Sequence, residues 1–212
     1  MVEPGTSRAA RPREETARRR EDILKAAVQV FGNKGYTKGS LGDIADIVGM
    51  THAGVLHHFG TKDQLLLDVL VYRDQTDVEH LDGRQMPPGL ELFRHLITTA
   101  RLNESRRGVI QVFTVLSAES VTDNHPAKKF FHDRYEVLRG EVAEALVAIC
   151  DQSDPPDTKA IDAAASAIIA VMDGLQVQWL LEQDSFELAA ATAFAIEALL
   201  TAAVNGHPRR VL

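Results

Sequence analysis

The sequence predicts an all-α protein of about nine helices. Three observations carry this. Apolar residues recur at spacings of three and four along most of the chain, the period of a helix with one buried face. Alternating apolar and polar runs bounded by turn residues are scarce, so strands have no signal. Helix start and stop residues fall where periodic segments begin and end, at Gly35, Ser40, Gly49, Thr51 and Thr61.

Residues 1–14 read as a flexible basic arm. Pro4, Gly5 and Pro12 stand among Arg8, Arg11 and Arg13, leaving too little apolar surface to order the segment, and the three arginines are candidate DNA-phosphate contacts. A first helix is predicted from about Glu15 to Asn33. Its inner face is Ile23, Ala27, Val30 and Phe31, and Gly35 stands where a C-terminal glycine belongs. Ser40 and Asp43 fit the start pattern of a second helix. A short third helix spans about Thr51 to Phe59. Thr61 and Gln64 form a capping-box pair that opens the fourth, which carries Leu65, Leu66, Val69, Leu70 and Tyr72. The run LDGRQMPPG then reads as a loop. Five more helices are predicted, from about Leu90 to Asn103, Arg107 to Ser120, Ala127 to Cys150, Thr158 to Glu182 and Phe186 to Val204. Pro126 and the Asp154-Pro155-Pro156-Asp157 stretch mark two of the joints.

Composition narrows the class. A chain of 212 residues can bury a full core without staples. A lone cysteine, Cys150, excludes a disulfide scaffold and a zinc site of paired cysteines. The longest uncharged apolar run, Ala163 to Met172, lies between Asp162 and Asp173, so no membrane-spanning helix and no membrane partner are expected. The first twenty residues hold six arginines and no apolar centre, unlike a secretory signal. The cytoplasm is the expected compartment.

Net charge is −7, yet it is unevenly placed. Residues 1–62 hold ten Lys and Arg against seven Asp and Glu, whereas residues 63–212 hold thirteen against twenty-three. Such asymmetry suggests a basic module, compatible with nucleic-acid binding, fused to an acidic one.

The chemistry concentrates in LGDIADIVGMTHAGVLHHFG, residues 41–60. Ala45, Gly49 and Val55 have the spacing of a helix-turn-helix. Ala45 admits the second helix closely, Gly49 supplies the left-handed turn, and Val55 returns to the shared core with Ile44, Val48 and Met50. The outward face of the short helix then presents Thr51, His52, Gly54, His57 and His58. Small and hydrogen-bonding residues at a helix start suit docking in the major groove of double-stranded DNA.

An enzyme is the main rival and is not expected. No catalytic residues, no metal ligands and no cofactor motif emerge: HExxH, P-loop, GxGxxG, nucleophile elbow and CxxC are all missing. His52 and His57 lie five residues apart, about 500° around a helix, and do not face one metal. Glu119 with His125, and His132 with Asp133, read as surface helical charge. A helical protein-interaction module is the second rival, but it leaves the basic, capped helix-turn-helix unexplained.

Residues from about Thr16 to Asp77, in particular ILKAAVQVFGNKGYTKGSLGDIADIVGMT and GVLHHFGTKDQLL, resemble the DNA-binding domain of TetR-type transcriptional regulators. The resemblance implies a recognition helix at Thr51 to Phe59, and phosphate contacts from Ser40 and Lys62. It implies domains at 15–77 for DNA and 78–212 for effector binding and dimerisation. Leu56 departs from a tyrosine common in the family, with His57 the candidate substitute, and Gly42 departs from a larger, often charged residue. The stretch from about Arg106, with SAESVTDNHPAKKFFHDRYEVL and MDGLQVQWLL, looks broadly like the BetI-type C-terminal domain. Together these imply a repressor released from a palindromic operator by a small organic effector. An activator without a ligand is the alternative.

The last two helices are rich in alanine, with Ala163, Ala164, Ala165, Ala167 and Ala170 in one and Ala189, Ala190, Ala191, Ala193 and Ala195 in the other. They have too few charges to cover both faces, which predicts a four-helix homodimer interface. On helices around the family's pocket lie Phe93, Leu96, Phe113, Leu116, Phe131, Tyr135, Met172, Gln176 and Trp179. Most of these aromatic residues read as core. If Tyr135 and Trp179 line a cavity, their ring faces suit a cation; an apolar ligand fits equally well.

Overall fold

Ile23, Ala27 and Phe31 are completely buried and Val30 nearly so, which makes the first helix the spine of the N-terminal half. A computed structural model describes residues 10–78, 86–150 and 157–204. Among the described residues there are nine helices and no strand: α1 (Ala10–Lys38), α2 (Leu41–Val48), α3 (His52–Phe59), α4 (Lys62–Val78), α5 (Leu90–Glu104), α6 (Arg107–Glu119), α7 (Lys128–Ile149), α8 (Thr158–Leu181) and α9 (Leu188–Val204).

α1 begins at Ala10 rather than near Glu15. Ala, Arg and Glu are strong helix formers, and Pro12 falls in the first turn, where its missing N–H is no loss. Arg11 and Arg13 therefore stand on a helix, and Arg8 of the expected arm lies outside the described residues. At the other end Gly35 (φ 71°, ψ 176°) breaks the helical path, as expected of a stop, although a further turn follows to Lys38.

The inner faces of α1, α2, α3 and α4 form one core with Val112, Phe113 and Leu116 of α6 and Phe131 of α7. The N-terminal module thus shares its interior with the helices that follow. The approach is close at Gly32, where an added Cβ would stand 3.4 Å from the backbone N of Val112. Gln111 locks the same crossing by donating to the Gly32 carbonyl at 3.0 Å and to Asn33 Oδ1 at 3.1 Å. Arg20 on α1 pairs with Asp68 on α4 and lies over the Phe59 ring of α3.

A second core gathers Leu92, Phe93 and Leu96 of α5 with α7, α8 and α9. A third, smaller one holds Ala100, Ile110, Trp179 and Leu188. α8 departs from expectation: by length and composition alone it is apolar enough to cross a membrane, with mean hydropathy 1.5 over its most apolar window. Only 22% of that window is buried. α8 packs on α6, α7 and α9, and the outer surface of this layer carries Val177, Leu181, Phe194 and Val204 exposed.

Candidate DNA-reading surface and ligand cavity

α2 and α3 form the helix-turn-helix. Ser40 caps α2 through a complete capping box: its Oγ accepts the Asp43 N–H at 3.0 Å, and Asp43 Oδ2 accepts the Ser40 N–H at 3.1 Å. Gly49 sits in the left-handed region (φ 64°, ψ 36°) and closes α2, which turns the chain sharply into α3. Ala45 and Val55 are buried in the shared core, with Ile44 beside them. Thr51 caps α3 by accepting the Gly54 N–H at 3.1 Å. Thr61 accepts the Gln64 N–H at 3.0 Å, but the Gln64 side chain donates to Asp68 instead of reaching back. That capping box is therefore half-formed.

The outward face of α3 differs in part from the sequence reading. Thr51, His52, Ala53 and His57 are exposed, whereas Gly54 and His58 are half-buried. A Cβ on Gly54 would meet the Met50 methyl at 3.1 Å and Thr51 Oγ1 at 3.4 Å, so this position faces the turn. Ala53 is the small outward residue, and the i, i+4 step from it to His57 supplies the signal that finds it. Ser40 and Thr51 are exposed, but both hydroxyl oxygens are engaged in caps. Lys34 and Ser40 donate to Asp43, which holds that carboxyl down at about 2.

Lys62 is turned inward. Its ammonium donates to the Tyr36 carbonyl at 2.6 Å and lies 4.2 Å from the Tyr36 ring centre. Burial pulls its pKa down, against the pull of Asp63 and Glu119. The Tyr36 hydroxyl donates to Asp63, and burial followed by that bond pushes the phenol up. Lys38, exposed just before the α2 cap and bearing no ion pair among the described residues, is a cation the sequence reading passed over.

Glu119 and His125 form part of this junction and are not surface charge. Glu119 Oε2 accepts the Tyr36 N–H at 2.6 Å and lies 3.9 Å from His125 Nε2. His125 is buried, stands edge-on to the Tyr36 ring and accepts the Ala127 N–H on Nδ1 at 3.2 Å. Burial pulls its pKa down, while Glu119 and Asp63 pull it up. His132 and Asp133, by contrast, are exposed, as the sequence reading has them. No group of three or more metal-ligating side chains occurs among the described residues.

A cavity of about 560 Å³ opens between α4, α5, α6, α7 and α8. Of the predicted pocket residues, Leu96, Phe113, Tyr135, Met172 and Gln176 line it. Phe93 and Phe131 are core residues instead, buried in the second and first clusters. Leu116 is likewise buried in the first. Trp179 packs in the third cluster with Ala100, Ile110 and Leu188. The sequence reading missed the polar lining. Arg73 and Arg134 both pair with Asp74, at 3.0 and 2.7 Å, and both lie over the Phe113 ring. The Tyr135 hydroxyl donates to Asp173 at 2.6 Å. Burial pushes the Asp173 carboxyl up, opposed by that bond and by the two arginines.

Residues 23–69 match the family model described as bacterial regulatory proteins, tetR family. Residues 91–204, more than half of the chain, match that of the BetI-type transcriptional repressor C-terminal domain. The chain belongs to the TetR family. It is a DNA-binding transcriptional repressor.

Several TetR-family relatives span nearly the whole chain. The probable transcriptional regulator ArpR of Pseudomonas putida is 28% identical over 193 residues, covering 84% of this chain and 88% of its own. The transcriptional regulator TtgR of the same species is 26% identical over 203 residues, with the same coverage. Among solved structures, the regulator FadR of Bacillus subtilis in complex with stearoyl-CoA superposes with a TM-score of 0.65 at 17% identity, covering 85% of this chain and 97% of that one. NalD of Pseudomonas aeruginosa, the secondary repressor of the MexAB-OprM multidrug efflux pump, gives 0.65 at 19% identity, covering 88% and 95%. At these identities the superpositions establish the TetR-type fold.

Proposed function

We propose that this repressor is a homodimer that reads a palindromic operator with its two α3 helices and releases it when a small organic molecule fills the cavity. One observation carries the reading. α4 belongs to both sites: its first turn follows α3 directly, and its middle, Val71 to Gln75, walls the cavity. A ligand that alters the seating of α4 also alters where α3 stands, and differential binding of this kind typically couples sites by about 1–3 kcal/mol.

The dimer rests on the apolar surface of α8 and α9. Leu181 is 83% exposed and Phe194 77%. Uncovered apolar groups of this size mark an association surface. Two-fold pairing through it places two recognition helices against inverted half-sites. His52, Ala53 and His57 face the base edges, and Lys38 lies beside the phosphates. This activity belongs in the cytoplasm and involves no catalytic step.

Selection of bound sites from a random duplex pool tests the reading. Two inverted half-sites are expected, their centres set by the helical repeat of about 34 Å or a multiple of it. Recovered sites without inverted symmetry contradict the dimeric mode, and a pool left unbound contradicts DNA reading.

A further inference from the structure

The cavity holds more polar groups than an apolar ligand requires, and their charges do not cancel. Arg73, Arg134, Asp74 and Asp173 all line the cavity. The two guanidiniums share Asp74, and Asp173 faces both of them while accepting the Tyr135 hydroxyl. Two positive and two negative charges leave this floor neutral. Asp133 at the rim is neutralised by Lys129 at 2.6 Å.

Glu141 is different. It lines the cavity on α7, half-buried, with no hydrogen bond or ion pair among the described residues. Its neighbours on that wall are Val137, Leu138 and Val142. Burial pushes its carboxyl up, Glu144 adds to the push, and Arg134 opposes it. A carboxylate beside apolar side chains loses hydration that nothing in the protein replaces.

We infer that the effector of this repressor is a lipophilic organic cation, its ammonium held by Glu141 and its apolar body against Phe113, Tyr135 and Met172. The inference rests on the cavity being the effector site. A cation supplies the missing partner of Glu141 and brings the cavity to neutrality. An anion has no such place. It meets guanidiniums already paired with Asp74, and it adds a second charge of the sign already in excess. Displacing such a pair costs more than it returns in a partly dehydrated site.

The test compares three probes of equal chain length, decylammonium, decanoate and decanol, by isothermal titration against the full chain near pH 7.5 without DNA. Decylammonium is expected to bind more tightly than decanol by about tenfold or more, the ~1.4 kcal/mol or more of a hydrogen bond to a charged group. Decanoate is expected to bind weakest. Glu141→Gln should bring decylammonium down to the level of decanol and leave decanol unchanged. Stronger binding of decanoate than of decylammonium overturns the inference, as does an undiminished cation affinity in Glu141→Gln. Either result leaves the cavity as the effector site. Binding by none of the three overturns both that reading and the inference built on it.

Discussion

The Glu119 carboxylate at the end of α6 accepts the Tyr36 N–H at 2.6 Å, immediately after the kink at Gly35. This bond joins the last turn of α6 to the end of α1, and through the Tyr36 carbonyl to Lys62 at the start of α4. The space at Gly35 is closed by the same carboxylate: an added Cβ would stand 2.1 Å from Glu119 Oε1.

Gly35→Ala is therefore expected to lower stability for two reasons, a left-handed backbone and a collision. Together these should cost about 2 kcal/mol or more. In a Glu119→Ala background the collision disappears and only the backbone term remains. A double-mutant cycle by urea unfolding should show the loss at Gly35 shrinking when Glu119 is absent. Strictly additive losses would mean that the two residues do not act on each other.

Stability should fall as pH drops through about 6.5, where an unperturbed histidine protonates. Burial pulls the His125 pKa down. Between the folded and unfolded values the unfolded chain binds more protons, so unfolding is favoured as pH falls through this window. Asp173 and Glu141, with pKa values pushed up, act oppositely at lower pH, where the folded state binds more protons. His125→Asn separates the contributions, since an amide oxygen still accepts the Ala127 N–H. Its urea midpoint should decline less than that of the wild type between about pH 7 and 5.5. Equal declines would rule out His125 as the titrating group.

The helix-turn-helix was legible because its signals are local. Ser40, Gly49 and Thr51 act within one or two turns of themselves, and Ala45 and Val55 lie in one buried core on either side of a single tight turn. The cavity was not, because it depends on how separate helices cross. Met172, Gln176 and Trp179 share one face of α8, yet that face meets different neighbours along its length. Met172 and Gln176 look into the cavity, whereas Trp179 has passed beyond it to Ala100 and Ile110. Arg73 shows the reverse failure. A charge on an amphipathic helix reads as outward, but the Phe113 ring and Asp74 give it a buried place.

Ala53→Glu should abolish operator binding with the fold intact. Ala53 is exposed on α3, so stability is expected to move by no more than about 0.5 kcal/mol. A negative charge facing the duplex costs several kcal/mol, so affinity should fall about a hundredfold or more. Fluorescence anisotropy on the selected operator reads this directly. Unchanged affinity would place α3 away from the groove.

Phe194→Arg should make the protein monomeric. The ring is 77% exposed on α9, so the substitution disturbs nothing within one chain. In a dimer it puts an unpaired charge into an apolar interface, which costs about 3–5 kcal/mol. Sedimentation at micromolar concentration should give a dimer for the wild type and a monomer for the variant. A wild type that sediments as a monomer removes the two-fold reading mode altogether.

Lys62 and Lys38 should separate in a salt titration. A lysine that neutralises a phosphate contributes roughly one unit to the slope of log K against log salt. Lys38 is exposed beside the α2 cap, so Lys38→Met should flatten the slope by about that amount per subunit. Lys62 instead ties the start of α4 to Tyr36, through a 2.6 Å hydrogen bond and the ring face. Lys62→Met should leave the slope as it is, while lowering stability and shifting affinity evenly at all salt concentrations. The reason is geometric: an ammonium held against a carbonyl inside the protein releases no counterion when DNA arrives. A flattened slope for Lys62→Met would mean that the side chain leaves Tyr36 on binding and takes a phosphate instead.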